Sequence, residues 1–515
     1  MTTGPEYQLY DAIPYPHICH VQTHPDRLAT LAWLRGIEPA PANCCRVLDL
    51  GCGSGINSIA MAELLPESRF VGIDRAEHQI WSGREIIDVL GLENVTLHHG
   101  DFCEIDANWG KFDYILVHGV YSWVGRDVRD TIMRLCRDHL NPHGIAYISY
   151  NTYPGWHAIG MLREMMRYHT RALDDPYDRS QQALELLDFL ADAVVRENPA
   201  FGRFVNHYLT YIRKKLARVG SEQATLLLYD ELADVNEPVY IHAFLEHAAQ
   251  YGLQYVTESD MASTLALNLE PTVAEHLQQL ARTMGEYEQY LDFVRCRMFR
   301  ETLLCHDTLT LRRQLTPDVL ERCCLASPAR LLTGVADTPI PLALTFVSDD
   351  GARLVTDHGF SQAAMMCLID LWPQAVPFDT LCEQAQSRLL TKEMGHLADD
   401  QTEYDRAVLR ATLLKGFCCS SNLVQLSLMP PAICTTISER PRARRLARWQ
   451  AHHGPIVTNL YHEDVRLEAV RQRLLCYLDG KHTLDDVQRK FPELATGDLL
   501  AQHLAGIARS ALLVG

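Results

Sequence analysis

Val47-Leu-Asp-Leu-Gly-Cys-Gly-Ser-Gly-Ile-Asn57 is the stretch from which the rest of the chain can be read. The apolar run, with one acid inside it, reads as a strand, the glycines at 51, 53 and 55 as a sharp turn, and the residues from Ile56 onward as a helix. Glycine lets a main chain turn sharply and approach a ligand where a Cβ would collide. The motif lacks the further glycine with which a dinucleotide fingerprint cradles a pyrophosphate. Asp49, inside the motif, suits a ligand that carries an ammonium group.

Outward from that turn, short apolar runs alternate with helical spacing. Strands are predicted at Arg46 to Gly51, Arg69 to Asp74, Val95 to Asp101, Phe112 to Gly119 and Gly144 to Tyr150. Helical spacing fills Asn57 to Leu65, Ala76 to Leu90 and Asp127 to Leu140. Such alternation predicts an α/β fold with a parallel, doubly wound, Rossmann-like sheet. Trp156 to Leu216 is helical in pattern, and Trp156 to Tyr229 is expected to be an insertion after the fifth strand, either over the carboxyl edge where ligands bind in open sheets or as a helical buttress without substrate contact. A helix over Tyr240 to Tyr251 and strands at Gly252 to Glu258 and Phe299 to His306 then bring the sheet to seven strands.

The last 200 residues hold a faint repeat. Ala364 to Leu371, then Phe378, Asp379 and Leu381, resembles Val470 to Leu478, then Leu484, Asp485 and Val487. Each unit reads as helix, turn, helix and a β-like tail, near Leu423 to Leu426 and Leu512 to Val514, which two winged-helix-like modules in an α+β C-terminal region would satisfy. The expected divisions are a lid segment (1–45), a ligand-binding core (46–155), a helical cap (156–229), the closing helix and strands (230–310), a middle winged-helix-like domain (311–435) and a C-terminal one (436–515). The basic run Arg440 to Arg448 reads as a solvated linker or helix face.

Composition narrows the function. A chain of 515 residues exceeds what one core organises, and its 47% hydrophobic and 22% charged content suits packed domains. Residues 1–350 hold 47 acids and 29 bases and the remainder 18 of each, so the net charge of −18 belongs to the N-terminal part. That charge disfavours nucleic acid and would attract a basic partner. Neither a basic start followed by an apolar run nor a stretch of about 20 apolar residues occurs, which predicts a cytoplasmic protein without membrane insertion. The sixteen cysteines are scattered through apolar patterns and read as reduced, mostly buried thiols.

Chemistry is expected at three successive strand ends. The Asp74 carboxylate is placed to accept from both hydroxyls of a ribose, and Asp101 from an adenine amine with Phe102 packed nearby. The fourth strand ends in His118, which can face a ligand or be an ordinary packed histidine. Tyr121 and Trp123 either line a substrate opening or fill the base of the cap. Tyr153 and Trp156, after the fifth strand, are the favoured substrate-side residues because aromatic faces stabilise cationic amines, with packing under the insertion as the alternative. Tyr7, Tyr10 and Tyr15 precede the sheet and read as a lid or a packed arm.

These segments together resemble a bacterial family of class I methyltransferases that carry a methyltransferase regulatory domain, some of whose members are protein-lysine methyltransferases of outer-membrane proteins. The resemblance rests on Tyr10 to Pro16, Asp49 to Asn57, His118 to Trp123, Tyr150 to Trp156, Asn236 to Tyr240, Asp292 to Arg300 with Leu303 to His306, and Val457 to Leu460 with His462. It implies S-adenosylmethionine as cofactor, held by Gly51, Gly53, Gly55, Asp74 and Asp101, and a middle and C-terminal region that helps hold a protein substrate. The full candidate set for cofactor binding is Tyr15, Asp49, Gly51, Cys52, Gly53, Gly55, Asn57, Asp74, Asp101, Phe102 and His118, and for catalysis His118, Tyr121, Tyr153 and Trp156. No metal is called for.

Methyl transfer needs in-line alignment and exclusion of water more than covalent help. A lysine amine must also lose a proton first, which a dry pocket favours. The leading expectation is therefore N-methylation of lysine in a protein, in the family's case an outer-membrane protein before export. A methyltransferase for a small metabolite or biosynthetic peptide is the alternative, and a cofactor-sensing regulatory protein a third reading.

Overall fold

The computed structural model describes residue 13 and residues 15–217, 223–265, 269–332, 343–390, 399–494 and 497–514. Tyr7 and Tyr10 lie outside the described residues.

Seven strands form the central sheet: β1 (Arg46–Leu50), β2 (Arg69–Asp74), β3 (Val95–His99), β4 (Phe112–Val117), β5 (Leu140–Asn151), β6 (Leu253–Glu258) and β7 (Phe299–His306). Their order is β3-β2-β1-β4-β5-β7-β6. Only β7 runs against the rest, antiparallel to both β5 and β6. Val47, Leu48 and Leu50 are fully buried because helices cover both faces, which is why this strand reads as a continuous apolar run. The order reverses between β1 and β4, opening a crevice at the carboxyl ends of those strands.

The helices that flank the sheet fall where the spacing puts them. Before the sheet comes α1 (Pro25–Leu34), and between its strands lie α2 (Ile56–Leu64), α3 (Glu77–Leu90) and α4 (Arg126–His139). In α3 the residues Ile80, Gly83, Ile86, Ile87 and Leu90 form one buried stripe, and Gly91 ends the helix in a left-handed conformation. The insertion resolves into α5 (Gly155–Thr170), α6 (Pro176–Glu197), α7 (Pro199–Leu216) and α8 (Gln223–Asp230). It builds its own core from Trp156, Leu162, Met166, Leu187, Val205, Leu209 and Leu227. The insertion leaves from the end of β5 and returns there, where Val239 N–H donates to the Asn151 carbonyl at 3.1 Å. Next, α9 (Ile241–Gln250) precedes β6, and α10 (Pro271–Leu280) and α11 (Met284–Arg295) occupy a connection that periodicity left unassigned.

Beyond the sheet, β8 (Cys324–Ala326), β9 (Arg330–Leu331), β10 (Leu344–Val347), β11 (Arg353–Thr356), β12 (Val376–Pro377) and β13 (Gln425–Ser427) pair into two three-stranded sheets. They accompany α12 (Gly359–Leu371), α13 (Phe378–Leu390) and α14 (Asp399–Cys419). The C-terminal winged-helix domain comprises β14 (Arg442–Ala443), α15 (Arg445–His453), β15 (Ile456–Thr458), β16 (Asp464–Arg466), α16 (Ala469–Tyr477), α17 (Leu484–Lys490), α18 (Leu499–Arg509) and β17 (Leu513–Val514). Both helix-turn-helix units suggested by the repeat are present, in α12–α13 and α16–α17.

The basic run departs from its expected reading. Arg444 is completely buried, with its Nε 2.8 Å from Glu63 of α2 and its Nη1 2.8 Å from the Asn459 carbonyl. Arg445 donates to the Leu90 carbonyl at 2.6 Å. Two of the cluster's five arginines thus bolt the C-terminal domain to the helices behind the glycine turn. All sixteen cysteines are free, and only Cys44 and Cys296 are exposed. Among the described residues no helix is long and apolar enough to cross a membrane.

Candidate active site

At the end of β1 the chain takes three left-handed turns in five residues, with φ of 73° at Gly51, 56° at Gly53 and 70° at Gly55. Residues with a Cβ rarely adopt these angles, so the glycines are required by geometry. The turn is fastened to β2: the N–H groups of Gly51 and Cys52 donate to the Ile73 carbonyl at 2.9 and 3.2 Å. It is also packed from beneath, since a Cβ on Gly83 of α3 would lie 2.0 Å from the Ser54 carbonyl oxygen. Gly83 was not anticipated, although a glycine inside a helix stripe is itself a signal of close approach.

Two carboxylates face this turn from adjacent strands. Asp49 is buried and accepts from Ser58 Oγ at 2.8 Å, and Asp74 accepts the N–H groups of Gly53 and Ala76, each at 2.8 Å. Burial pushes the Asp49 carboxyl up to about 6, with the charge of Asp74 adding to the shift. Burial also raises Asp74, against the pull of its backbone donors. No lysine or arginine pairs with either carboxylate among the described residues. A buried acid and a partly buried one, neither paired with a cation, favour a cationic ligand beside the glycine turn. Asp101, at the end of β3, accepts the Cys103 N–H at 2.9 Å and keeps its other oxygen 3.9 Å from Arg75. Phe102 is buried in the core beside the sheet.

The end of β4 abuts the turn, because a Cβ on Gly51 would lie 2.5 Å from Val120 Cγ2. Here Gly119 has φ 67°, is held by its N–H to Ser149 Oγ at 2.8 Å, and faces open space. His118 stacks on His20 with ring centroids 3.6 Å apart, and its Nδ1 lies 2.9 Å from Tyr147 Oη. Burial holds His118 well below the ordinary histidine value, and so it is neutral at neutral pH.

The other candidates separate. Tyr121 is not brought to this opening: its ring packs on Phe244 and Tyr150, and its hydroxyl lies 2.9 Å from Nδ1 of His247. Trp156 is buried in the core of the insertion, edge-on to Trp123. Those two expected catalytic positions are occupied by packing, because an aromatic residue that follows a strand end finds apolar surface on both sides. Tyr153 remains half-exposed, stacked on His157 at 4.1 Å and close to Tyr240 at 5.2 Å. Tyr15 packs on Tyr229 of the insertion, 5.8 Å away. Asn57 is tied to other protein groups: its Oδ1 accepts from the His20 N–H at 3.0 Å and lies 2.7 Å from Nε2 of the buried His462.

Three matches to known families divide the chain. Residues 42–182 match a methyltransferase domain, residues 223–306 the predicted methyltransferase regulatory domain, and residues 439–510 the "PKMT, C-terminal winged helix domain". The Rickettsia prowazekii protein named "Uncharacterized protein RP028" is 37% identical over 239 residues, which cover 46% of this chain and 93% of that protein. Another from the same organism, "Uncharacterized protein RP789", is 29% identical over 93% of this chain and 85% of its own length. The solved structure of PKMT2 from Rickettsia typhi superposes with a TM-score of 0.84 at 27% identity, covering 98% of this chain and 100% of that one. The chain is a methyltransferase that carries the regulatory domain and a PKMT-type C-terminal winged-helix domain. A second structure of PKMT2, in complex with AdoHcy, covers the same shares with a TM-score of 0.81.

The methyltransferase uses S-adenosylmethionine, and its residues fit that molecule. The left-handed glycine turn has no side chains at three of its positions, and Asp49 and Asp74 would offer negative charge to a ligand with an ammonium and a sulfonium. Asp74 and Asp101 keep carboxylate lone pairs beyond those their backbone donors use, as acceptors for hydroxyl and amine groups.

Proposed function

We propose that this methyltransferase N-methylates lysine side chains of a protein substrate. The observation that carries the reading is the opening at Gly119, where a Cβ would meet no atom within 4 Å. A long, thin side chain presented by a large molecule can reach the end of β4 there without being enclosed. The half-exposed aromatic faces of Tyr153 and Tyr240, after β5, suit a cationic or methylated amine. Likeness to PKMT2 along nearly the whole chain, winged-helix domain included, supports the same reading.

S-adenosylmethionine supplies an electrophilic methyl on a sulfonium. The chain's own residues bind it through the turn, exclude water with the segment from Cys19 to Thr23 laid over α2, and hold the amine in line at the end of β4. An outer-membrane protein methylated in the cytoplasm before export extends the proposal to a substrate class. Labelled S-adenosylmethionine incubated with the enzyme and a size-fractionated lysate tests it: label in protein, with intact-mass gains of roughly 14 Da per methyl, supports the reading. Label confined to small molecules favours the metabolite alternative.

A further inference from the structure

The lysine reading needs a route for a proton, and three side chains beside the end of β4 form one. Tyr147 of β5 is fully buried and donates its hydroxyl to Glu301 Oε1 at 2.8 Å. Its oxygen must then accept from His118, whose Nδ1 lies 2.9 Å away, so the neutral imidazole carries its hydrogen on Nδ1. Nε2 is left with a bare lone pair, and it has no hydrogen-bond partner among the described residues. At the far end, Glu301 Oε2 accepts from Ser259 Oγ at 2.9 Å, and Glu301 lines an open cavity of about 320 Å³ where β6 ends and β7 begins. The chain of donors thus runs from the strand end that faces the cofactor turn to a solvent-accessible pocket.

We propose that His118, Tyr147 and Glu301 form a proton relay that deprotonates the substrate ammonium, with His118 the group that touches substrate and Glu301 the terminal acceptor. The proposal rests on the lysine reading. The N–H bond of the ammonium breaks as Nε2–H forms, Nδ1–H passes to Tyr147 Oη, and the tyrosyl proton passes to Glu301 Oε1. Every atom and charge balances: the substrate becomes a neutral amine, His118 stays neutral in its other tautomer, and Glu301 becomes a neutral acid. Glu301 then loses the proton to cavity water; after turnover Nε2–H is given up to water at the opening, and Nδ1 is reprotonated from cavity water through Glu301 and Tyr147.

The surroundings suit these roles. Burial raises the Glu301 carboxyl, making it a better acceptor than a surface glutamate. Burial, with neutral His20 stacked on its face, keeps His118 from holding the proton itself. The ammonium, beside a sulfonium, is weakened by like charge. Around Glu301, Arg27 is bound to the Ser259 carbonyl at 2.8 Å, and the Glu258 carboxylate accepts the Glu301 N–H at 2.9 Å. Asp260, Arg295 and Arg297 share the cavity wall, leaving its charge mixed.

The test follows initial rates from labelled S-adenosylmethionine into methyl-lysine of acid-precipitable lysate protein, from pH 7 to pH 10, with calorimetric AdoHcy affinity as the control for folding. The wild type is expected to show a nearly flat profile. Glu301→Gln and Tyr147→Phe should lose roughly 100-fold near neutrality and regain about tenfold per pH unit toward the lysine reference near 10.4, with AdoHcy affinity within twofold. Glu301→Asp should recover part of the rate near neutrality. Variant profiles parallel to the wild type overturn the relay and leave the lysine reading intact, whereas a wild type that puts no methyl-lysine into protein overturns that reading itself. Should Glu301→Gln not fold, Tyr147→Phe carries the test alone.

Discussion

Arg444 meets Glu63 at 2.8 Å with none of its side chain exposed, and the two residues come from opposite ends of the chain. Glu63 sits in α2, the helix that begins at the glycine turn, and the Arg445 N–H also donates to it at 2.9 Å. One buried carboxylate therefore helps fasten the C-terminal winged-helix domain to the helix that leaves the glycine turn. Removing one partner of a buried pair strands the other charge, at a cost of about 3–5 kcal/mol. Arg444→Ala should destabilise the enzyme by that order in denaturant unfolding and raise hydrogen exchange in α2. The double variant Glu63→Leu with Arg444→Met should recover most of the loss. A single variant as stable as the wild type would remove the bolt from the account.

Asp74→Ala should weaken binding of S-adenosylmethionine by roughly 10- to 100-fold, the range expected for charged hydrogen bonds. Part of the loss arises because the Gly53 N–H loses its acceptor along with the ligand. Calorimetry checks the value, and unchanged affinity refutes the assignment.

The Asp49 carboxyl, raised to about 6, makes binding depend on pH. In the free enzyme the folded state holds this proton more tightly than the unfolded chain, so its contribution to stability is full below about 3.8 and is lost as pH rises through about 6. A cationic ligand offsets the cost of the ionised form. Affinity for S-adenosylmethionine should therefore strengthen between pH 5 and pH 7.5, whereas adenosine, which lacks the ammonium and the sulfonium, should show no such slope. Equal slopes for the two would remove Asp49 from the ligand's ammonium.

Gly83→Ala should destabilise, although glycine to alanine inside a helix ordinarily gains about 1 kcal/mol. The new methyl would lie 2.0 Å from the Ser54 carbonyl oxygen, which is backbone and cannot swing away. Overpacking of this kind costs about 1–3 kcal/mol, and it displaces the turn, so the melting temperature and cofactor affinity should fall together. A rise in melting temperature would show that α3 yields instead.

The sheet was legible because its central strands, β1 and β4, are buried on both faces and read as nearly continuous apolar runs. Asp49, inside the first apolar run, and Asp74, which closes the second, stand out as candidates because an acid has no packing role there. Tyr121 and Trp156 misled because an aromatic ring reads alike whether it lines an opening or fills a core, and only the Phe244 and Trp123 rings beside them decide the matter. Arg444 looked solvated because a burial that depends on Glu63, 381 positions away, leaves no periodic trace. Glu301 and Tyr147 each sit in an ordinary strand pattern, and their pairing exists only because β7 inserts beside β5.

That insertion also governs how the polypeptide is made. Between Asn151, which ends β5, and Phe299, which begins its neighbour β7, roughly 150 residues must leave the ribosome. Through that interval β5 is a bare edge, the kind of surface that templates pairing with a foreign strand. A nascent chain arrested before residue 299 should for that reason be far more prone to aggregate than one released after residue 306.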